Sequence, residues 1–447
     1  MEHAPRSTDR PLACVVMAGG KGTRMRSTLP KVLHPIWGRS LLGWVIAAVH
    51  EAGADRIVVV VPPDAADAVA AVAGDATTVV QPDQLGTGDA VRCALPALEG
   101  FDGDVLIVSG DTPLLTAELL SDLLAAHAAS GAAGTAASFR SEDPAHYGRV
   151  IRGTDDTIRI VEAKDATAAE LAVNEVNAGL YVFAIDALRP ALAGLTSDNA
   201  QGEFYLPDVV PAIAATGRAV RAAEISDASL LLGVNTRVEL AEAAQLLRYR
   251  IIEAHLLLGA GIVDPTTTYI DVSVELEPDC VVHPFTILRG STRLASGAEA
   301  GPHSVLTDAI LEPGAQAGPF AHLRAGTHLY AGARVGAFAE TKNAEVGARS
   351  RIPHLSYVGD ATIGEDSNIG AGNITANYDG EQKHRTIIGN RVRTGSDTVF
   401  VAPVEIGDDA VTGAGSIITH DVPAGALGIA RARQVIKEHY AKRKRDA

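Results

Sequence analysis

Apolar residues recur at every sixth position through the second half of the chain. From Ile270 the ladder runs Leu276, Val282, Leu288, Leu294, Ala300 and Leu306. It restarts one residue early at Leu311 and continues Ala317, Leu323, Leu329 and Val335. It resumes at Ile363 and Ile369, then at Ile388, Thr394, Phe400, Ile406, Thr412 and Ile418. The fifth residue of each hexad is small, as at Cys280, Thr286, Ala298 and Ala315, and the second is often Gly, as at Gly301, Gly336, Gly370 and Gly407. A period of six fits neither an amphipathic helix nor strand alternation. It fits one side of a triangular coil, in which a short strand buries its aliphatic residue, a small residue fills the corner and Gly frees the turn. Three sides make a coil of about 18 residues, so residues 263–428 hold roughly nine coils stacked at ~4.8 Å. No coil buries its inner face alone, and stability comes from stacking.

The first half reads as alternating α/β. Leu12–Met17 is an apolar run that breaks into a Gly-rich loop with Lys21, Arg24 and Lys31, where backbone N–H groups and cations suit phosphates. The loop is neither a Walker loop nor a dinucleotide fingerprint. Ser40 caps an apolar helix ending near Gly53, Ile57–Val61 is a strand and Asp64–Ala73 is helix-like. Val105–Ser109 is a further strand that delivers Gly110 and Asp111 at its C-terminal end, the edge where open α/β sheets bind ligands. A carboxylate there suits Mg²⁺. Thr236–Glu239 has the spacing of a capping box. After it Leu240, Ala244, Leu247, Ile251, Ala254 and Leu258 predict one helix of ~23 residues, closed by Gly259 and Gly261. The expected organisation is an α/β domain over 1–235, a linker helix over 236–261 and a repeat domain over 262–447.

Polar residues gather where the six-count breaks. Arg324 and Lys342 stand 18 positions apart, one coil, so they stack on one face as a pair of cations suited to a sugar phosphate. His354 follows Lys342 by 12 positions, and an imidazole can take a proton from an attacking amine near neutral pH. A rod that needed only stiffness would have no use for these residues.

Composition narrows the picture. The 447 residues are 47% hydrophobic and only 4% aromatic, so the cores are built from Ala, Val, Leu and Ile. A formal charge of −16 argues against a nucleic-acid partner. The basic run Lys442–Arg445 reads as a solvated tail. Three cysteines (Cys14, Cys93, Cys280) lack metal-type spacing and read as core residues in a reducing cytosol. No run of about 18 apolar residues and no signal-type leader are visible, so the expectation is a soluble cytoplasmic protein with no membrane insertion.

The repeat pattern resembles the hexapeptide-repeat acyltransferases, which implies a left-handed parallel β-helix. The first half resembles the Rossmann-like sugar-nucleotide pyrophosphorylases, carried by Met17–Met25, Pro30-Lys31, Gln81–Gly88, Gly110-Asp111, Tyr147–Arg149, Val161–Asp165, Val176–Gly179 and Gly233–Asn235. Together the halves resemble the bacterial bifunctional family that joins a UDP-N-acetylglucosamine pyrophosphorylase to a glucosamine-1-phosphate N-acetyltransferase. The resemblance implies that Met17, Ala18, Gly19 and Gly20 line the nucleotide, Arg24 and Lys31 meet phosphates, and Gln81, Gly86 and Thr87 read uracil. It implies that Ser109, Gly110 and Asp111 approach the ribose and metal, that Gly148, Glu162 and Asn177 hold the amino sugar, and that Asn235 joins Asp111 on Mg²⁺. In the repeats it implies His354 as general base, Arg324, Lys342, Tyr357 and Asn368 on glucosamine-1-phosphate, and Ala371, Asn377, Tyr378, Ser396, Ala414 and Arg431 on acetyl-coenzyme A. UTP, N-acetylglucosamine-1-phosphate and a homotrimer follow from the same source. Gly19 replaces the family's Ala, Ala325 its Pro, and Ala430 and Arg433 flank Arg431 in place of Ser and Pro. Two other readings are a nucleotidyltransferase with a purely regulatory or trimerising rod, and a non-catalytic scaffold.

Overall fold

The computed structural model describes residues 10–20, 22–144, 147–153 and 157–443. Lys21, the N-terminal stretch 1–9 and the side chains of the Lys442–Arg445 run lie outside the described residues. The chain divides into two compact units, residues 1–247 and 248–447.

In the first unit β1 (Leu12–Met17), α1 (Leu41–Glu51), β2 (Arg56–Val61), β3 (Thr77–Val80), α2 (Thr87–Ala94), β4 (Asp104–Ser109) and α3 (Ala117–Ser130) follow in order. Then come β5 (Gly134–Arg140), β6 (Arg149–Arg152), β7 (Ile158–Val161), β8 (Glu175–Ala184), α4 (Ile185–Ala193) and β9 (Val220–Glu224). The sheet order is β9-β5-β8-β4-β1-β2-β3, with β6 and β7 hung on β8. Strand β1 is parallel to both β2 and β4, but β8 runs antiparallel between β4 and β5. The sheet is therefore mixed rather than wholly parallel. Alternate residues of β1 enter opposite cores, Leu12, Cys14 and Val16 on one face and Ala13 and Val15 on the other. A strand apolar on both faces is what a helix-covered parallel sheet requires. The expected α1 is capped as the sequence predicts, Ser40 Oγ accepting from Gly43 N at 3.0 Å. The expected helix over 64–73 is shorter, a 3₁₀ turn followed by Ala66–Ala70.

Helix α5 (Arg237–Leu257) opens with the capping box. Glu239 N donates to Thr236 Oγ1 at 3.2 Å, while Thr236 N and Asn235 N both donate to Glu239 Oε2 at 2.7 Å. Such a cap contributes about 0.5–2 kcal/mol. Gly259, left-handed at φ +95°, closes the helix, and Ala260 N donates back to His255 O at 3.0 Å. The predicted apolar stripe holds only in its first part. Ala243 and Leu247 join a core with Met25, Ile36, Leu41, Leu114 and Val234, and Ile251 is buried, but Ala254 and Leu258 are exposed.

The second unit is a three-faced parallel β-helix, of the left-handed kind that hexapeptide repeats build. On one face Ile270 pairs with Leu288, Leu288 with Leu306, Leu306 with Leu323, Leu323 with Thr341 and Thr341 with Val358. Every apolar ladder position predicted from the sequence is buried, and Thr341, Val346, Ile352 and Val358 fill the gap where the count lapsed. Each buried Leu, Ile or Val contributes about 1.5–3 kcal/mol, so the stacked interior dominates the stability of this unit. Cys280 lies at a corner, and burial pushes its thiol up to about 11; burial also raises Cys14, so both are core residues, as the spacing suggested.

The second-position glycines divide: Gly301 and Gly318 take the left-handed backbone expected of a turn, at φ +98° and +124°, while others play a different part. At Gly336 and Gly370 φ is not positive; a Cβ at Gly370 would lie 2.7 Å from the Gly395 carbonyl of the next rung, and one at Gly336 would strike the Pro353 carbonyl. Close stacking excludes a side chain there. The left-handed backbone falls two residues later, at Asp279, Phe285, His303, Phe320, Phe338 and Leu355 among others. Four of these stack along one corner, with Phe285–His303, His303–Phe320 and Phe320–Phe338 centroids 4.6, 4.9 and 5.1 Å apart. Replacing Gly370 by Ala should cost about 1–3 kcal/mol through overpacking and lower the melting transition of the repeat unit. A variant that melts with the parent would contradict the rung spacing.

Candidate functional sites

Met17 ends β1 directly opposite Ser109, the end of β4, so two loops leave the same sheet edge side by side. Gly110 N donates to Met17 O at 2.9 Å, and Ala18 N to Val60 O at 2.8 Å, which pins the start of the Gly-rich loop. Ser109 Oγ donates to Asp111 Oδ1 at 2.6 Å, leaving Oδ2 to the ammonium of Lys31. Lys31 Nζ also donates to Asn235 Oδ1 at 3.2 Å, and Arg24 Nη2 donates to the same oxygen at 3.0 Å. Asn235 arrives here because Val234 N donates to Asp111 O at 2.8 Å. Two oxygens from distant parts of the unit's sequence, Asp111 and Asn235, thus converge on one cation. An Asp carboxylate and an Asn amide oxygen are the hard donors that Mg²⁺ takes, with water and phosphate completing its shell. The residues present fit such an ion.

Beside this cluster lies a cleft of about 320 Å³, lined by Met17, Gly19, Gly20, Gln81, Gln84, Gly86, Thr87, Ala90 and Glu203. Gln84 Nε2 donates to Gly19 O at 2.7 Å. Gly86 has φ +112°, and a Cβ there would lie 2.6 Å from Phe204 O, so only Gly fits. Thr87 Oγ1 accepts from Leu206 N at 3.0 Å. A Cβ at position 19 would lie 2.7 Å from Gln81 Oε1, which gives the Gly19 departure a consequence: this Gln81 placement needs a glycine beneath it.

Gly148, Glu162 and Asn177 come together from three strands' ends. Asn177 N donates to Gly148 O at 2.8 Å, and a Cβ on Gly148 would lie 3.3 Å from Glu162 Oε1. A register shift between Asn177 and Tyr181 re-aims this part of β8, as bulges beside sites do. Burial first, then the Asp165 and Asp208 carboxylates, raise the Glu162 carboxyl above its ordinary range.

In the repeat unit the 18-residue offset places the cations as predicted. Leu323 pairs with Thr341, and Arg324 N donates to Thr341 O at 2.8 Å, so Arg324 and Lys342 succeed one another in adjacent rungs. The Ala325 departure leaves the turn closed, with Thr327 N donating to Arg324 O at 3.2 Å and Asn343 N to Ala325 O at 3.0 Å. Lys342 pairs with Gly359, and the Tyr357 hydroxyl lies over Gly359 where a Cβ would be. Sequence reasoning missed a third cation, Lys383. The Lys383 ammonium beside it, then the charge of Arg324, lower the Lys342 ammonium pKa. Sequence reasoning missed Asp360 as well, which accepts from Asn343 Nδ2 at 2.7 Å and from Asn377 Nδ2. Burial raises Asp360, but those two donors, with Lys383 and Lys342, outweigh it and leave its pKa below the carboxylate norm. The signal was present in the ladder: Ile363 pairs with Ile388, so this rung carries 25 residues, and the excess forms the loop holding Asn377, Tyr378 and Lys383.

His354 is exposed at a corner, in register with Ala337. Successive backbone bonds run along that corner, from Gly372 N to His354 O, Asp397 N to Ala371 O and Gly415 N to Ser396 O. His354, Ala371, Ser396 and Ala414 therefore form one column, and Arg431 reaches its end, with Cδ 4.0 Å from where a Gly415 Cβ would lie. Asn368 sits on the face behind His354, bridging Arg351 and Arg393, and does not share a face with Lys342 and Tyr357.

A nucleotidyltransferase-type α/β sheet with a cation-and-oxygen cluster at its strand ends, joined to a polar-edged hexapeptide β-helix, defines a two-centred transferase. Residues 14–207 match the MobA-like NTP transferase domain, and residues 385–420 match the bacterial transferase hexapeptide (six repeats). Proteins named "Bifunctional protein GlmU" are similar over nearly the whole chain. That of Mycolicibacterium vanbaalenii is 47% identical, covering 98% of this chain and 94% of its own. Those of Mycobacterium tuberculosis H37Ra and Streptomyces coelicolor are each 46% identical, covering 97% and 98% of this chain and 92% and 96% of their own. The chain belongs to the GlmU family.

Removing Lys383 by substitution with Ala takes a positive charge away from Lys342, so the Lys342 pKa should rise towards its ordinary value. Titration followed by NMR of the labelled ammonium checks this, and an unchanged or lower midpoint would contradict the three-cation cluster.

Proposed function

We propose that the chain is a bifunctional enzyme that acetylates glucosamine-1-phosphate with acetyl-coenzyme A and then transfers UMP from UTP to the N-acetylglucosamine-1-phosphate formed, releasing pyrophosphate. The observation that carries this reading is the pairing, in one rod, of the Arg324–Lys342–Lys383 cluster with the exposed His354 column. Three cations gathered at one place, with the Lys342 ammonium held below its ordinary pKa by its two neighbours, are a site waiting for an anion.

In the first reaction the sugar phosphate lies against Arg324, Lys342 and Lys383, with Tyr357 on the sugar, while Asn368 lies on another face of the rod and is given no part in this contact. His354 takes a proton from the sugar ammonium group's conjugate amine as its nitrogen attacks the thioester carbonyl. The carbon–sulfur bond breaks and coenzyme A leaves as the thiol. The cofactor runs along Ala371, Ser396 and Ala414, between the Asn377–Tyr378 loop and Arg431. No covalent enzyme intermediate is required, and the buried cysteines take no part.

In the second reaction the phosphate oxygen of the acetylated sugar attacks the α-phosphorus of UTP in line, and the bond to pyrophosphate breaks. Such chemistry asks for positioning and charge neutralisation rather than a nucleophilic side chain. Arg24 and Lys31 neutralise phosphate oxygens, Met17–Gly20 and Ser109–Gly110 line the nucleotide, Gly86, Thr87 and Gln81 meet the base, and Gly148, Glu162 and Asn177 hold the sugar. Asp111 and Asn235 would hold Mg²⁺, which would supply charge stabilisation to the phosphates, while Lys31 would neutralise phosphate oxygens beside it.

The homotrimer is part of the proposal. The aromatic column Phe285–Phe338 leads to Leu355, the neighbour of His354, and it supports a neighbouring copy completing the acetyl site. Among the described residues no helix is long and apolar enough to cross a membrane.

The two reactions should separate by mutation. Arg24→Ala should abolish pyrophosphate release while thiol release from acetyl-coenzyme A and glucosamine-1-phosphate survives. His354→Ala should slow thiol release by about 10²–10⁴-fold and leave pyrophosphate release intact. A parent protein without thiol release would favour a rod that only assembles the enzyme.

A further inference from the structure

We infer that Asp89 and Arg92 form a lock that fixes which end of the Gln81 amide faces the nucleotide cleft, and so set the enzyme's choice between bases with and without a ring imide N–H. The inference rests on the uridylyl-transfer reading above and assigns a specificity device within it.

Gln81 is buried, and its Nε2 donates to Asp89 Oδ2 at 2.9 Å and to Gly86 O at 3.2 Å. Both partners are acceptors only. A carboxylate and a backbone carbonyl cannot donate, so the amide nitrogen must face them and the oxygen must face away. Asp89 is buried too, and its other oxygen accepts from Arg92 Nη2 at 2.6 Å. The Arg92 guanidinium lies over the Phe204 ring at 4.5 Å, and Phe204 is itself tied down by Gly88 N donating to its carbonyl at 2.8 Å and by its own N–H donating to Leu85 O at 2.7 Å. The chain of fixed donors and acceptors therefore runs from Phe204 through Arg92 and Asp89 to Gln81. At its end Gln81 Oε1 projects over Gly19, which has no Cβ to block it, into the cleft, and none of the described residues donates to it.

An acceptor presented there pairs with the N3–H of uracil. Cytosine carries a lone pair at N3 and meets Oε1 acceptor to acceptor, leaving two buried polar groups unpaired. Thymine has the same imide as uracil, so the lock makes no distinction between them. Sites that hydrogen-bond a substrate group in this way reject the analogue lacking it far more strongly than apolar pockets do.

The lock makes an inversion possible through a single carboxylate-to-amide exchange. In Asp89→Asn the donor-only guanidinium of Arg92 claims the new amide's oxygen, so its NH₂ faces Gln81. Gln81 then turns its oxygen to that NH₂ and its own NH₂ to the cleft, giving up its longer 3.2 Å bond to Gly86 O. In the double variant Asp89→Asn/Arg92→Ala the introduced amide is free to present its oxygen to Gln81 again. The test is kcat/KM of pyrophosphate release with UTP, CTP and TTP for the parent, D89N, R92A and D89N/R92A. The UTP/CTP ratio should fall at least tenfold in D89N and recover most of that loss in the double variant, with the UTP/TTP ratio unmoved throughout. The ratio belongs to whatever fraction is folded, so a loss of stability does not obscure it. A D89N enzyme that loses UTP and CTP activity by the same factor, or a double variant that shows no recovery, would overturn the lock. A parent that releases no pyrophosphate with UTP would overturn the uridylyl-transfer reading itself.

Discussion

The repeat unit depends on one constraint: each rung must donate its backbone hydrogen bonds to the next while its inward residue sits on the inward residue below. Leu288 on Ile270, Leu306 on Leu288 and Leu323 on Leu306 satisfy both demands at once. A slip of one residue would turn every interior aliphatic outward. The stack is therefore a ruler. Residues at the same phase of successive rungs line up in columns whether or not they touch, and the chain exploits this twice. One column stacks Arg324 and Lys342, and another lines up His354, Ala371, Ser396 and Ala414. Only where a rung is over-long does the chain leave register, and there it projects Asn377, Tyr378 and Lys383 beside the cation column.

The first unit meets a similar requirement, holding phosphate oxygens, with different means. A sheet cannot stack cations by repetition, so it sets the cations of one loop against oxygens from distant segments at one edge. Arg24 and Lys31 come from the loop after β1, Asp111 from the end of β4 and Asn235 from just before α5. The Asn235 backbone is fixed by the same Glu239 carboxylate that caps α5, so the helix start and the oxygen cluster are one construction. Most of these side chains are only partly buried.

Features set by local chain geometry were legible in the sequence, and features set by distant partners were not. Every residue the six-count located is buried, though the count lapsed over Thr341, Val346, Ile352 and Val358; the Thr236–Glu239 spacing located a helix start, and the one-coil offset located Arg324 and Lys342. The second-position glycines were identified correctly, and for the expected reason at Gly301 and Gly318, but at Gly370 the cause is the backbone of the next rung, 25 residues away, which excludes a Cβ. The antiparallel entry of β8 between β4 and β5 has no signature in its own residues, which read as an ordinary buried strand. The helical stripe through Ala254 and Leu258 was a correct period that found no core to face. Lys383 and Asp360 were invisible as chemistry because each acts only through side chains from other rungs. The over-long rung was countable, yet nothing in the count said which residue would fold back onto Lys342.

The central claim is that the rod's stacked cations and its corner imidazole serve one substrate. A crystal structure with glucosamine-1-phosphate bound tests it most directly. The account predicts phosphate density held by Arg324, Lys342 and Lys383, with the amino group of the sugar turned towards a His354 imidazole. Density for the sugar phosphate elsewhere, with those three cations left in solvent, would contradict it.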